Sequence, residues 1–230
     1  MDFKTALIVG VGPGLSASLA RLFAKHGLQV ALAARNPDKL AKLAEETAGA
    51  TFACEATEPE EVAALFDVVI ATQGVPDIVV YNASARAHGP VTEIDPSQGA
   101  RAISVSAYGG FLVAQQAARH MVARGSGAIL LTGASASVKG YPNSSAFAMG
   151  KFALRGLASA LARELAPKGV HVAHFVIDGG IRSANRADPA GNPDSTLDPD
   201  AIAETYWQVA NQPRSAWTWE VELRPWVEKF

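Results

Sequence analysis

Short apolar runs rich in β-branched residues alternate with longer amphipathic stretches along most of the chain. When helices cover both faces of a parallel sheet, its strands are buried on both sides and appear as brief, continuous apolar runs. Strands are predicted at residues 6–10, 29–33, 51–54, 78–81, 128–132 and 170–176, and helices at 15–26, 37–47, 59–72, 100–123 and 145–166. The pattern therefore predicts an α/β fold with a doubly wound parallel sheet, in a single domain over residues 1–230.

The last fifth of the chain adds a loop, a helix and a final strand. Residues 184–200 are rich in Asn, Asp, Pro, Gly and Ser and lack periodicity, so a mobile loop is predicted there. Its functional interpretation is a lid over a site, and the alternative is a tolerated surface insertion. A helix is predicted at 199–212, and alternation of apolar with polar residues then predicts a strand. Its apolar positions are Trp217, Trp219, Val221 and Leu223.

Composition and charge limit the classes of molecule that this chain is expected to bind. The formal net charge is -2 and charges of both signs are interspersed, so neither nucleic acid nor a membrane surface is expected to bind. No apolar stretch approaches the roughly 20 residues that cross a bilayer, and the N-terminus lacks the pattern of an export signal. Cys54 is the single cysteine and is expected in the core. These features favour the reducing cytoplasm.

A glycine-rich turn joins the first predicted strand to the first predicted helix. It contains Gly10, Gly12, Pro13 and Gly14, followed by Leu15. Glycines permit a tight turn and let the backbone approach a pyrophosphate, while the amides and dipole of the helix N-terminus stabilise the anion. Leu15 stands where the GxGxxG pattern has its last glycine, so that fingerprint is not met. The position of the turn nevertheless predicts a dinucleotide site of the Rossmann type.

The end of the second strand indicates which dinucleotide. Proteins that bind NAD often place a carboxylate about 20 residues beyond the glycine turn, on the ribose 2′-hydroxyl. This chain has Arg35 in that region. A guanidinium carries the charge and forked donors suited to a 2′-phosphate, so NADP(H) is predicted in preference to NAD(H). The alternative is a solvated arginine at a strand end.

Four features in chain order resemble the short-chain dehydrogenase/reductase family, from about Lys4 to Ser183. They are the glycine turn, the Asn82-Ala83-Ser84 segment, the Phe147-Ala148-Met149-Gly150-Lys151 segment and Asp178-Gly179. The resemblance implies a nicotinamide-dependent oxidoreductase that acts on a small-molecule substrate. It also implies homodimers or homotetramers built through the helices at 100–123 and 145–166.

The resemblance implies cofactor-binding roles for several residues. Gly10 and Gly14 match the first two glycines of the family's TGxxxGxG turn, while Val9 replaces the threonine and Ser16 the last glycine. On the same basis, cofactor contacts are expected from Asn82, Ala83, Lys151, Gly179 and Ser183, with Asp178 in place of the usual proline.

The catalytic positions depart from the family pattern. Lys151 matches the lysine of the YxxxK motif, but Phe147 stands at the tyrosine position, Ala134 at the serine position and Ser106 at the asparagine position. Phenylalanine has no exchangeable proton and alanine has no hydroxyl, so the usual acid/base step cannot use these side chains. General acid/base catalysis typically contributes about 10² to 10⁴-fold, which this chain must recover elsewhere or forgo.

Other polar side chains are candidates to replace the missing pair. Ser135 adjoins the lost serine position, Tyr141 lies in the loop before the Phe147 helix, and His88 follows Asn82. Each has a structural alternative: Ser135 as a cap, Tyr141 as a pocket wall and His88 as an exposed residue. With Lys151, Ser135 and Tyr141 are the candidate catalytic residues, and no metal site is expected because the histidines lack ligand spacing.

Three functions remain open from the sequence. The leading one is an NADP(H)-dependent oxidoreductase with an altered proton relay, acting on a small carbonyl or alcohol. The alternative is an NADP(H)-binding protein without dehydrogenase activity, in a structural or redox-sensing role. An enzyme of other chemistry in the same pocket is the third.

Overall fold

The computed structural model describes residues 2–183 and 186–228, and a seven-stranded parallel sheet forms its centre. The strand order is β3-β2-β1-β4-β5-β6-β7. The strands are β1 Thr5–Val9, β2 Gln29–Ala34, β3 Ala50–Ala53, β4 Ile78–Tyr81, β5 Gly127–Thr132, β6 Val170–Ile177 and β7 Glu220–Leu223. All six neighbouring pairs are parallel. The predicted doubly wound sheet is thereby confirmed.

Helices cover both faces of the sheet, because the strands present apolar side chains in both directions. The helices are α1 Leu15–Lys25, α2 Ala41–Thr47, α3 Pro59–Gln73, α4 Pro96–Ile103, α5 Gly109–Arg124, α6 Ser145–Leu165 and α7 Pro199–Ala210. One core lies between the sheet and α1, α2 and α7, and another between the sheet and α3, α5 and α6. No helix in the described ranges is long and apolar enough to span a membrane.

The predicted helix at 100–123 is longer and less regular than expected. It begins earlier, at Pro96, where the Asp95 side chain accepts hydrogen bonds from the backbone amides of Ser97 and Gln98. Between α4 and α5 the chain forms a π-helical turn at Ser104–Tyr108. Such turns are common next to functional sites because they redirect side chains. The sequence pattern does not reveal this turn, since apolar periodicity continues through it.

The predicted final strand is too long at its N-terminal end. The strand β7 begins at Glu220, so Trp217 and Trp219 precede it, contrary to the prediction. A short 3₁₀ turn at Arg214–Ala216 interrupts the extended backbone. Trp217 instead stacks on His171 and donates its indole N–H to the carbonyl of Gln212. Local packing therefore overrides the alternating pattern at these two residues.

The segment predicted as a mobile loop or lid contains ordered contacts in its described part. Ala184 and Asn185, at its start, lie outside the described residues. Arg182, just before it, pairs with Asp188 and with Asp198, the N-cap of α7. Asp188 also accepts hydrogen bonds from Thr196. These ion pairs hold the ends of the segment near β6, and its function as a lid stays a prediction.

Strand register sets the position of the site. Val9 is level with Ala33 of β2 and with Tyr81 of β4. The turns after these three strands therefore meet at one edge of the sheet, where the chain winds outward in opposite directions from β1. In doubly wound sheets, ligands bind in the crevice at this switch point.

Candidate functional site

A cavity of about 940 Å³ occupies the switch point at the carboxyl ends of β1, β2 and β4. Its lining includes six of the residues predicted to bind a cofactor: Gly10, Gly12, Pro13, Arg35, Asn82 and Ala83. Two more residues predicted to bind the cofactor do not line the cavity. Gly14 is the N-cap of α1, and the side chain of Leu15 is buried in the core. The structure therefore brings together the turns that the sequence patterns single out.

A glycine is required at position 10 because the backbone of Ala83 lies too close for a side chain. The φ of Gly10 is +87°, and a Cβ atom built on it would lie 2.4 Å from the backbone nitrogen of Ala83. No L side chain fits that space, and few adopt that φ without strain. The absence of a side chain here lets the turns after β1 and β4 pack directly together.

A hydrogen-bonded chain of side chains joins the same two turns. The Asn82 amide nitrogen donates to the Ser16 hydroxyl at 2.6 Å, and the Ser16 hydroxyl donates to the carbonyl of Gly10 at 3.1 Å. Sequence reasoning gave Ser16 no role, treating it only as the replacement for a glycine. The signal that could have found it is a polar residue in the buried first turn of a helix, where Ser16 is 1% exposed.

Positive charge gathers at the end of β2. Arg35 is exposed and lines the cavity together with Lys39, and β2 ends at Ala34 without a carboxylate beside it. Glu46 and Glu55 also line this cavity, but they pair with Arg21 at 2.7 Å and with Arg101 at 3.7 Å. The residues present therefore fit a phosphate-rich dinucleotide: glycines for close approach, the amides of α1 for the diphosphate, and cations for a further phosphate.

A second cavity of about 430 Å³ adjoins the first and shares Asn82 and Ser84 with it. It lies over the carboxyl ends of β5 and β6. Its lining includes the predicted site residues Ser135, Tyr141, Lys151 and Gly179, and also Phe147 and Ala134. A molecule placed here would lie next to one end of a dinucleotide in the larger cavity.

Lys151 lies at the base of the second cavity. It is 3% exposed, and its Nζ donates to the carbonyl of Thr132 at 2.7 Å. Burial, together with the nearby charge of Arg86, lowers the pKa of Lys151 to about 7. Lys151 and Phe147 lie one turn apart on α6, so the amine is beside the ring, with Nζ 5.9 Å from the ring centroid. An amine that titrates near neutrality can both give and accept a proton.

Phe147 forms an apolar wall beside Lys151. It is 8% exposed, and the guanidinium carbon of Arg86 lies 4.4 Å from its ring centroid. Arg86 was not singled out from the sequence, since the Asn82-Ala83-Ser84 segment ends before it. The side chains at 134 and 147 supply no hydroxyl to this cavity.

The candidate replacement residues have partners of their own. Ser135 lines the cavity near Asp178. Burial alone would raise the pKa of Asp178, but Ser135, Lys139 and Arg224 lower it, and the last two contact its carboxylate at 3.2 Å. Tyr141 lines the cavity and is 45% exposed, and Nζ of Lys139 lies 5.8 Å from its ring centroid. His88 is exposed and is not among the lining residues. Lys139, two residues before Tyr141, is the partner that sequence reasoning missed.

Two further predicted positions lie outside the cavity linings. Ser106 is fully buried on the π-helical turn and donates to the carbonyl of Ala85 at 3.5 Å, with Gly150 packed against it. Ser183 is exposed and forms a β-bridge with Arg186. In residues 2–183 and 186–228 no cluster of three or more His, Cys, Asp or Glu is arranged to hold a metal ion.

Comparisons with known proteins give one consistent result. A family model for short chain dehydrogenases matches residues 4–189. A solved short-chain dehydrogenase from Rhodopseudomonas palustris is 34% identical, with a TM-score of 0.84 over 97% of this chain and 99% of that one. A metagenomic short-chain oxidoreductase solved in complex with NADP is 26% identical, with a TM-score of 0.82 over 96% and 97%. An uncharacterized oxidoreductase of Staphylococcus aureus strain N315 is 28% identical over 229 residues, 96% of this chain and 97% of the relative.

Proposed function

Because this chain belongs to the short-chain dehydrogenase family and is an oxidoreductase of that type, we propose that it uses NADP(H) to interconvert a small carbonyl compound and its alcohol by an altered proton route. The observation that carries the proposal is the amine of Lys151, which lies at the base of a cavity adjoining the dinucleotide crevice and titrates near neutrality. The family's usual hydroxyls are absent from that cavity.

The cofactor is held by the residues of the larger cavity. Backbone amides at the start of α1 face the diphosphate, Arg35 meets the 2′-phosphate, and Asn82 and Ala83 line the adenosine side. Lys151, Gly179 and Ser183 belong to the nicotinamide end, as the family resemblance implies. When bound, the reduced nicotinamide supplies a hydride to the substrate carbon.

Lys151 moves the proton. In reduction, Nζ gives its proton to the substrate oxygen and becomes a neutral amine; in oxidation, the neutral amine takes the proton back. An ammonium has three donors, and the hydrogen bond to Thr132 uses one of them. Tyr141, next to Lys139 and exposed to solvent, would connect this proton to solvent, whereas Ser135 lies near Asp178 and lowers its pKa.

Arg35 should set the preference for NADPH over NADH. Replacing it with serine removes a charge-assisted hydrogen bond, which is worth about 1.5–3 kcal/mol, so we expect NADPH to bind about tenfold to hundredfold more weakly. NADH lacks the 2′-phosphate, and its affinity should change little. Calorimetry with both cofactors checks this, and equal binding of NADPH and NADH by the natural protein would remove the inference.

An NADP(H)-binding protein without dehydrogenase activity is the second candidate. It is favoured by the contact of Arg86 with Phe147, which covers the ring at the family's tyrosine position with a guanidinium, where no hydroxyl is available. Such a protein would use the cofactor as a structural ligand or as a redox signal.

Absorbance at 340 nm with NADPH and a panel of carbonyl compounds separates the two candidates. We expect the natural protein to turn over, and Tyr141→Phe to slow turnover without weakening NADPH binding. The double variant Phe147→Tyr with Ala134→Ser restores the usual hydroxyls. Activity only in that variant would favour the binding protein, and no affinity for either nicotinamide cofactor would defeat both candidates.

An apolar surface on α5 and α6 supports self-association. Tyr108, Phe111, Met149 and Phe152 are each at least 40% exposed on or beside these helices. Burying such a surface against its copy is favourable. We propose a homodimer or homotetramer through this face, and a monomer in sedimentation would contradict it. A single domain, a lid at 184–200 and a cytoplasmic location remain part of the proposal.

A further inference from the structure

Two arginines converge on the substrate-side cavity from different loops. Arg86, after β4, stacks on Phe147 with its guanidinium carbon 4.4 Å from the ring centroid. Arg186, after β6, lies against Gly180, where an added Cβ would come within 2.9 Å of its Nη1. Both side chains line the 430 Å³ cavity that also holds Lys151. The glycine at 180 therefore makes room for the second guanidinium.

The cavity has cations but no carboxylate among its described lining residues. Asp178 adjoins Gly179 in the chain, yet its carboxylate contacts Lys139 and Arg224 instead. Arg182, in the same stretch as Arg186, is balanced by two aspartates. Within residues 2–183 and 186–228, neither Arg86 nor Arg186 has a salt-bridge partner. Both side chains are exposed to solvent, and an anion that enters the cavity would meet two guanidinium groups with no carboxylate beside them.

Two guanidinium groups that face one cavity repel each other, and this repulsion disfavours their protonated forms. Burial lowers the pKa of Arg86, and the charge of Arg186 lowers it further. Arg86 in turn contributes to the lowered pKa of Lys151. An anion between the guanidinium groups would relieve this repulsion, because opposite charge favours their protonated forms.

The geometry also suits an anion chemically. A guanidinium that stacks flat on an aromatic ring keeps the N–H donors of its edge free to form paired hydrogen bonds. Carboxylate and phosphate oxygens accept such bonds in a bidentate manner. A neutral carbonyl alone would need neither arginine.

We propose that the substrate of this protein carries an anionic group, a carboxylate or a phosphate, which binds between Arg86 and Arg186. The inference rests on the proposed function, because it assigns the 430 Å³ cavity to the substrate. The reacting oxygen would then lie on the Lys151 side of the cavity, with the anion toward the solvent end.

The test measures binding rather than turnover. The probes are two matched pairs, 4-oxopentanoate with its methyl ester and D-glyceraldehyde 3-phosphate with D-glyceraldehyde. They are titrated by calorimetry into protein saturated with NADP⁺, which cannot reduce them. We expect at least one charged probe to bind about tenfold or more tightly than its neutral partner, and the pair in which this occurs identifies the anion.

Variants then assign the effect to the two arginines. Arg86→Met and Arg186→Met keep most of the side-chain volume and should each weaken the charged probe about tenfold to hundredfold, with little effect on the neutral one. Arg119→Met, at an exposed arginine of α5 that lines neither cavity, is the matched control and should change neither affinity. Circular dichroism of each variant shows whether it has kept its fold. Arg86→Lys keeps the positive charge but lacks the planar guanidinium with its paired N–H donors.

Three results would overturn the proposal. One is equal affinity for the charged and neutral member of both pairs. Another is a charged probe that binds equally well to the natural protein and to both methionine variants. The third is loss of NADP⁺ affinity, without probe, in the two variants, which would assign the arginines to the cofactor. By contrast, selective anion binding without turnover of any carbonyl compound would contradict the proposed oxidoreductase activity and leave the anion site standing.

Discussion

Replacing Lys151 with methionine should lower turnover by about 10²- to 10⁴-fold, because the variant loses the amine that we propose as the proton carrier. NADPH affinity should also fall, by about tenfold, since the lysine would no longer reach the cofactor ribose. The fold should survive, because methionine fills the space of the lysine stem and removes a buried charge. Steady-state rates at 340 nm, calorimetry with NADPH and thermal unfolding measure these three effects separately.

The pH dependence distinguishes a proton carrier from a residue that only binds the ribose. In the ligand-free protein the pKa of Lys151 is lowered to about 7, so its proton is lost as the pH rises through neutrality. Since reduction needs the protonated amine, kcat/KM for reduction should fall above about pH 7, and kcat/KM for oxidation should rise. A residual activity in Lys151→Met that kept the same pH profile would show that another group carries the proton.

The same pKa shift predicts how the stability of the ligand-free protein responds to pH. An unfolded lysine keeps its ordinary pKa of 10.5, whereas the folded protein releases the proton near pH 7. Between these values the unfolded state binds more protons, so the contribution of Lys151 to the free energy of unfolding rises with pH. Below pH 7 both states are protonated and the burial cost is fully felt. Lys151→Met should lack this rise, which chemical denaturation across the pH range can measure.

Replacing Gly10 with alanine should be the most damaging substitution in the glycine turn. The new Cβ would lie within 2.7 Å of three Ala83 atoms, at a φ of +87°. Overpacking and the unfavourable φ together should cost about 3 kcal/mol, which lowers Tm by about 6–12 °C in a protein of this size. NADPH binding should weaken as well, because the turns after β1 and β4 would be pushed apart. Thermal unfolding and calorimetry test both effects.

Gly12→Ala is the matched control for this effect. A Cβ at Gly12 has nothing within 4 Å, but it faces the 940 Å³ cavity. We therefore expect an unchanged or slightly higher Tm together with NADPH binding that is about tenfold weaker. Equal loss of stability in both variants would contradict the assignment of Gly10 to packing and Gly12 to cofactor approach.

The positions of most strands follow from local chemistry. The strands β4 and β5 are buried on both faces, and their continuous apolar runs predict their bounds to within one residue. Prediction failed where a contact distant in sequence decides the backbone. Trp217 leaves the strand because it stacks on His171, and the helix at 96–124 contains a π-helical turn that no periodicity marks.

The residues of the candidate site were also only partly predictable from the sequence. The glycine turn and Arg35 are recognisable because each lies at the end of a predicted strand, and Lys151 is recognisable because it matches the lysine of the family's YxxxK motif. Ser16, Lys139 and Arg86 were missed because their roles depend on partners in other turns: Asn82, Asp178 and Phe147. The loops that follow different strands meet only when the sheet forms.

The amino-acid sequence by itself determined the doubly wound sheet and the glycine turn after its first strand, because burial patterns and glycine conformations are local properties. The loss of the two catalytic hydroxyls is what the family resemblance implies. Only the tertiary structure decided that Lys139 and Arg224 meet the carboxylate of Asp178, that burial lowers the pKa of Lys151 to about 7, and that Arg86 and Arg186 line one cavity. Burial, charge proximity and hydrogen-bond partners depend on residues far apart in the chain, so they are established only when the ends of the strands lie side by side.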